Sequence, residues 1–124
     1  MRCLLLCWAS VILGLAAQAE DDLPPARLSA DQEITLLISV VENSDATFIR
    51  NGSRHDASAG ADHLRLKLRR GAKYAKTAED FIANLATKSS WSGKRYTVEF
   101  PDGSTRPLGE WLSDQLRQLR TAGD

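Results

Sequence analysis

Beyond position 7 the 124-residue chain contains no cysteine. A domain built from that part has no thiol nucleophile, no disulfide and no cysteine metal ligand, so its stability must come from packing. Histidine is nearly as scarce, with only His55 and His63 present. Eight residues apart, the two would stand about 12 Å apart along a helix axis, and neither belongs to an H-E-x-x-H pair. No metal centre and no cofactor are expected. An excess of one charge is missing too, since 16 basic residues balance 16 acidic ones. That removes the global electrostatic case for nucleic acid or an anionic membrane. The chain also lacks a G-x-S-x-G elbow, P-loop spacing, internal repeats and low-complexity tracts. Past residue 19 no apolar run approaches the roughly 20 residues that span a bilayer. A soluble, monomeric mature chain is expected.

The one long apolar run stands at the start. "MRCLLLCWASVILGLAAQA" carries Arg2, runs apolar from Cys3 to Ala17 and closes on Ala17-Gln18-Ala19. That ending is the small-x-small pattern that signal peptidase cuts, which predicts a secretory signal over residues 1–19 with cleavage after Ala19. Retention as an anchor is disfavoured because the run is short for a bilayer. Cleavage removes both cysteines and Arg2, leaving 105 residues with 15 basic and 16 acidic side chains. This suffices for one modest core. Residues 20–28, "EDDLPPARL", read as an acidic, proline-containing leader, and residues 29–121 as a single domain.

Within that domain, Ser29 and Gln32 form a capping pair ahead of Ile34, Leu37, Ile38 and Val41, which fall on one helical face ending near Asn43. Asn51-Gly52 predicts a type I′ hairpin turn that sets Phe48 opposite His55. Asp56 or Ser58 then caps a second helix running to about Arg70 and stopping at Gly71. Ala57, Ala61, Leu64 and Leu68 make its apolar stripe. His63, Lys67 and Arg70 lie on one flank, Arg65 and Arg69 on the other, and Leu66 points away from the stripe. "TAEDFIANLATK" reads as a third helix capped by Thr77, with Phe81, Ile82 and Leu85 facing the core. Trp91 is expected to pack across the turn "SSWSG" that ends it. "KRYTVEF" alternates Tyr96, Val98 and Phe100 inward as a strand, Pro101-Asp102-Gly103 is a turn, and a last helix follows with Leu108, Leu112, Leu116 and Leu119 on its face. The fold class expected is α+β: a small, helix-dominated single domain of about four helices with short β-hairpins.

These segments, "FIRNG", "HLRLKL", "TAEDFI", "SSWSGKRY" and "FPDG", in this order and spacing, resemble the YfeK-like family of bacterial exported proteins. The resemblance covers roughly residues 30–119. Its matches are Arg50-Asn51-Gly52, His63-Leu64-Arg65, Lys67, Thr77 through Ile82, Ser89-Ser90, Gly93, Tyr96 and Asp102-Gly103. It implies a signal peptide, a periplasmic or envelope location and a compact helix-rich domain. It supplies no catalytic residues. Many relatives carry tyrosine where this chain has His55, which speaks against His55 as a required base or ligand.

For catalysis, Ser89, Ser90 and Ser92 are available nucleophiles and His63 the one suitable base, but Asp62, adjacent to it on the helix, points about 100° away and orients it poorly. "SSWSGK" sits after a helix, where the dipole is negative, and is a poor phosphate cradle. The remaining candidate is a basic face on the second helix and its hairpin, with Arg50, His63, Arg65 and Lys67 as binding residues. The function expected is a non-enzymatic envelope binding module for an anionic partner. The alternative is a small periplasmic hydrolase or lyase using His63 with a nearby serine or carboxylate.

Overall fold

The computed structural model describes residues 27–123. The signal peptide expected over 1–19, its cleavage point and the leader up to residue 26 lie outside the described residues. Helix α1 spans Ala30–Asn43 and starts on the capping box expected for it. The Ser29 hydroxyl accepts from the Gln32 N–H (3.2 Å), and the Gln32 side chain accepts from the Ser29 N–H (2.8 Å). Strands β1 (Thr47–Arg50) and β2 (Ser53–His55) follow, joined by Asn51 (φ 51°) and Gly52 (φ 81°). Both turn residues are left-handed, as a type I′ turn requires. Phe48 accordingly pairs with His55 and Arg50 with Ser53.

Helix α2 (Ala57–Gly71) is capped by Asp56, whose carboxylate accepts from the Ala59 N–H at 2.7 Å. It rests on β1 so closely that a Cβ on Gly60 would lie 2.8 Å from the Phe48 side chain. Glycine there permits the approach despite its cost inside a helix. A single 3-10 turn, Ala72–Tyr74, then leads toward α3.

The third helix departs from the expected form. Helix α3 is α-helical only over Ala78–Phe81 and then widens into a π-helical turn over Ile82–Ala86. The Thr87 hydroxyl donates to the Ile82 carbonyl at 2.6 Å and closes this turn. Phe81, Ile82 and Leu85 are buried as expected, and Ala86 joins them in the core. Trp91 is a second correction: it does not pack across the following turn but stands 93% exposed.

Strands β3 (Thr97–Glu99) and β4 (Thr105–Pro107) precede helix α4 (Leu108–Ala122). The two expected hairpins merge into one antiparallel sheet of order β2-β1-β3-β4, because β1 also pairs with β3, placing Phe48 beside Val98. Both are buried, and their adjacency on the inner face explains the merger. Helices α1, α3 and α4 are further joined by Arg120, which donates from Nε to Glu33 (2.9 Å) and pairs with Glu79 (2.5 Å). Both carboxylates hold its guanidinium firmly protonated.

Candidate functional site

Lys67 was expected on a solvated flank of α2; it is instead only 9% exposed. Its ammonium donates to the Lys88 carbonyl (2.8 Å) and to the Tyr96 hydroxyl (3.1 Å). Neither acceptor carries a charge. Burial, and then the nearby Arg50, depress the pKa of Lys67. A buried cation with neutral partners alone is costly, which makes it a pointer to a missing anion.

Around it, β1 contributes Arg50 and α2 contributes His63. The Arg50 guanidinium lies 3.4 Å from Nδ1 of His63, and Nε2 of His63 lies 3.0 Å from the Tyr96 hydroxyl. A guanidinium only donates, so Nδ1 accepts and the proton sits on Nε2, directed at Tyr96. The imidazole is neutral at pH 7. Its pKa is pushed down to about 4, first by burial and then by Arg50, Lys67 and His55. Tyr96 thus receives hydrogen bonds from His63 and Lys67 together. Burial raises its pKa, while the Arg50 charge and the Ser89 hydroxyl pull the other way. Phe48 backs the group, its ring centroid 6.1 Å from His63 and 5.2 Å from Tyr96.

These side chains border an open cleft of about 630 Å³ whose walls include Arg70, Leu66, Leu85, Tyr74 and Trp91. Leu66, which pointed away from the core stripe, belongs to this wall. No aspartate or glutamate lines the cleft. Among the described residues Arg50, Lys67 and Arg70 make no salt bridge, as also holds for Arg69, Arg95 and the other lysines, whereas Arg54, Arg65, Arg106, Arg117 and Arg120 do.

Of the four residues singled out in the sequence, the structure brings Arg50, His63 and Lys67 together. Arg65 lies elsewhere, donating to Glu42 (2.5 Å) and to Asp62 (3.0 Å) on the opposite flank of α2. Tyr96, the hub of the cluster, read in the sequence only as an inward strand residue. Ser89 also lines the cleft, but its hydroxyl accepts from the Trp91 and Ser92 N–H groups at 3.2 Å each. The ring nitrogens of His63 face Arg50 and Tyr96, and no serine hydroxyl is among its hydrogen-bond partners. His55 faces Phe48 across the hairpin, with its Nε2 buried and unpartnered. No group of histidine, cysteine and acidic side chains able to hold a metal occurs among the described residues.

The depressed His63 pKa has a measurable consequence. The folded chain resists protonation there, while the unfolded chain takes a proton near pH 6.5. The histidine therefore costs no stability above that pH and progressively destabilises the fold as pH falls toward about 4. Since the ring is only partly buried, solvent screening reduces the loss to roughly 1–2 kcal/mol. Urea unfolding of wild type and His63→Gln at pH 7.5 and 4.5 checks this: the variant should lose less on acidification, and equal losses would contradict it.

A family model described as "Family of unknown function (DUF5329)" matches residues 28–120. The chain is also similar to the "Uncharacterized protein YfeK" of Salmonella typhimurium, with 38% identity over 74 residues. That match covers 57% of this chain and 62% of the relative, so less than two thirds of the relative's length is spanned. No solved structure matches the chain.

Proposed function

This chain belongs to the DUF5329 family, and we propose that within it the protein serves as a binding module for a small anion, held in the cleft beside α2. The observation that carries this reading is Lys67, a side chain 9% exposed whose ammonium gives its two hydrogen bonds to neutral oxygens and lies 4.8 Å from the Tyr96 ring centroid, with no carboxylate partner. Arg50 and Arg70 border the same cleft without carboxylate partners, so an entering anion meets three uncompensated positive groups. The neutral His63 adds a polar edge without competing for the anion's charge. The module acts without chemistry: it holds its ligand and releases it.

The place of action proposed is the periplasm, reached through a signal over residues 1–19 cut after Ala19. What supports this is the Ala17-Gln18-Ala19 ending of the apolar run. No helix among the described residues is long and apolar enough to cross a membrane. Mass spectrometry of the protein from a periplasmic fraction should show a chain starting at Glu20; recovery only in the cytoplasm with an intact N-terminus would refute the location.

Anion binding is tested with sulfate, titrated at constant ionic strength against chloride and followed by calorimetry or amide chemical shifts. Saturable binding is expected for wild type and for Arg65→Ala, whose site of substitution lies outside the cleft. Arg50→Ala combined with Lys67→Met should abolish it. Shifts that never saturate, or that persist in the double variant, would overturn the reading.

A further inference from the structure

The cleft offers more than charge. We propose that its natural ligand is a flat-ringed organic anion, an arenecarboxylate in chemical class, with the carboxylate at Lys67 and Arg50 and the ring against Tyr74 and Trp91. This rests on the anion-binding reading above and deepens it.

Size is the first argument. About 630 Å³ is far more than a bare tetrahedral anion fills, and it lies within the range of organic ligand sites. The second is how the lining divides. Arg50, His63, Lys67 and Tyr96 form one hydrogen-bonded polar group. Leu85 and Tyr74 form an apolar group that meets at Gly71, where a Cβ would come within 2.9 Å of Leu85 and 3.6 Å of the Tyr74 ring. The glycine keeps that wall slim.

Third is Trp91. Its indole contributes nothing to the core, yet its backbone is held firmly. Ser89 accepts from the N–H groups of residues 91 and 92, the Gly93 N–H returns to the Ser89 carbonyl (3.0 Å), and Ser92 bonds to Asn51 of the hairpin turn. Gly93 sits at φ 74°, closing the turn in the left-handed region. A large aromatic displayed to water on a fixed turn beside a cationic cleft suits recognition, because it orders at little entropic cost.

Charge and hydrogen-bonding capacity exclude the neighbouring ligand classes. A neutral polyhydroxylated glycan leaves Arg50, Lys67 and Arg70 without an anionic partner, and the lining holds no carboxylate to accept from its hydroxyls. A flat anionic membrane cannot reach an ammonium as recessed as that of Lys67. A planar carboxylate needs donors at one end and apolar surface at the other, which is what the cleft provides.

The test is a set of calorimetric titrations of the mature chain with 2-naphthoate, its neutral counterpart 2-naphthamide, and sulfate. Naphthoate should bind about tenfold or more tightly than either of the others, a difference well resolved by calorimetry. Trp91→Ala should weaken naphthoate several-fold and leave sulfate unchanged, and Lys67→Met should weaken both by about two orders of magnitude. Sulfate binding as tightly as naphthoate would overturn the ring-bearing ligand while leaving the anion site standing. Naphthamide matching naphthoate, or no binding by any of the three, would overturn both readings. Phosphatidylglycerol vesicles that bind in a Trp91-dependent way, without naphthoate binding, would assign the face to lipid and sink the proposal.

Discussion

Replacing Phe48 by alanine should lower the unfolding free energy by about 3–5 kcal/mol. The ring is 1% exposed and lies where three elements converge: β1 carries it, α2 presses Gly60 against it, and Val98 of β3 is its cross-strand neighbour. Little nearby can collapse into the space, because the sheet pairing fixes β1 from both sides. A domain of this size commonly has 5–15 kcal/mol in total, so the loss is a large share of its stability. A fall of at least about 10 °C in Tm should accompany it. The cleft should suffer as well, since the same ring backs His63 and Tyr96. Denaturant unfolding checks the first effect. A cost under about 1 kcal/mol would show that α2 seats on the sheet without this ring.

The second large effect separates function from stability. Lys67→Met should weaken anion binding by about two orders of magnitude, which corresponds to roughly 2–3 kcal/mol for a charge-assisted contact. Stability should stay within about 1 kcal/mol of wild type or rise, because the substitution removes a buried charge with no anionic partner. The Tyr96 hydroxyl and the Lys88 carbonyl each lose a donor, but Tyr96 keeps its hydrogen bond from His63. The His63 pKa should move upward as one neighbouring cation disappears. Lys67→Arg should not rescue binding, because a planar fork does not fit the place of a compact ammonium held between a carbonyl and a phenol. Binding and urea unfolding on the same preparations test both halves. A strongly destabilised variant with intact affinity would reverse the assignment of Lys67 from ligand binding to structure.

Much of the fold was legible because its local signals are strong and consistent. Ser29 with Gln32 fixes one helix start, Asp56 and Thr77 fix two more, and Asn51-Gly52 dictates the hairpin register. The fold class follows from such signals in series. What was hidden depends on distant partners. Lys67 reads as a surface charge because its environment is built by Lys88 and Tyr96, more than 20 residues away. The π-helical turn at Ile82–Ala86 leaves no mark in a 3.6-residue pattern. Trp91 looks like core in any composition-based reading, and only the tertiary structure shows that its turn leaves the indole outside. Within the candidate site, sequence spacing united His63, Lys67 and Arg70, and hairpin geometry brought Arg50 near. It had no means of removing Arg65, whose carboxylate partner Glu42 sits on another helix.

The pairing of β1 with β3 also bears on the order in which the chain can assemble. Phe48 and Val98 are about fifty residues apart, so the centre of the sheet must wait for nearly the whole domain to be present. Helix α1 and the β1–β2 hairpin can begin to form by themselves, but the inner edge of β1 then remains an open template. Its four residues are too few to make that edge a strong aggregation seed, and β3 and β4 are shorter still. A chain presented N-terminus first would therefore stay loose until β3 and the core-filling helix α4 have both followed, and then close in one cooperative step. The cleft, which draws on residues from Arg50 to Tyr96, would come into being at that same moment and not before.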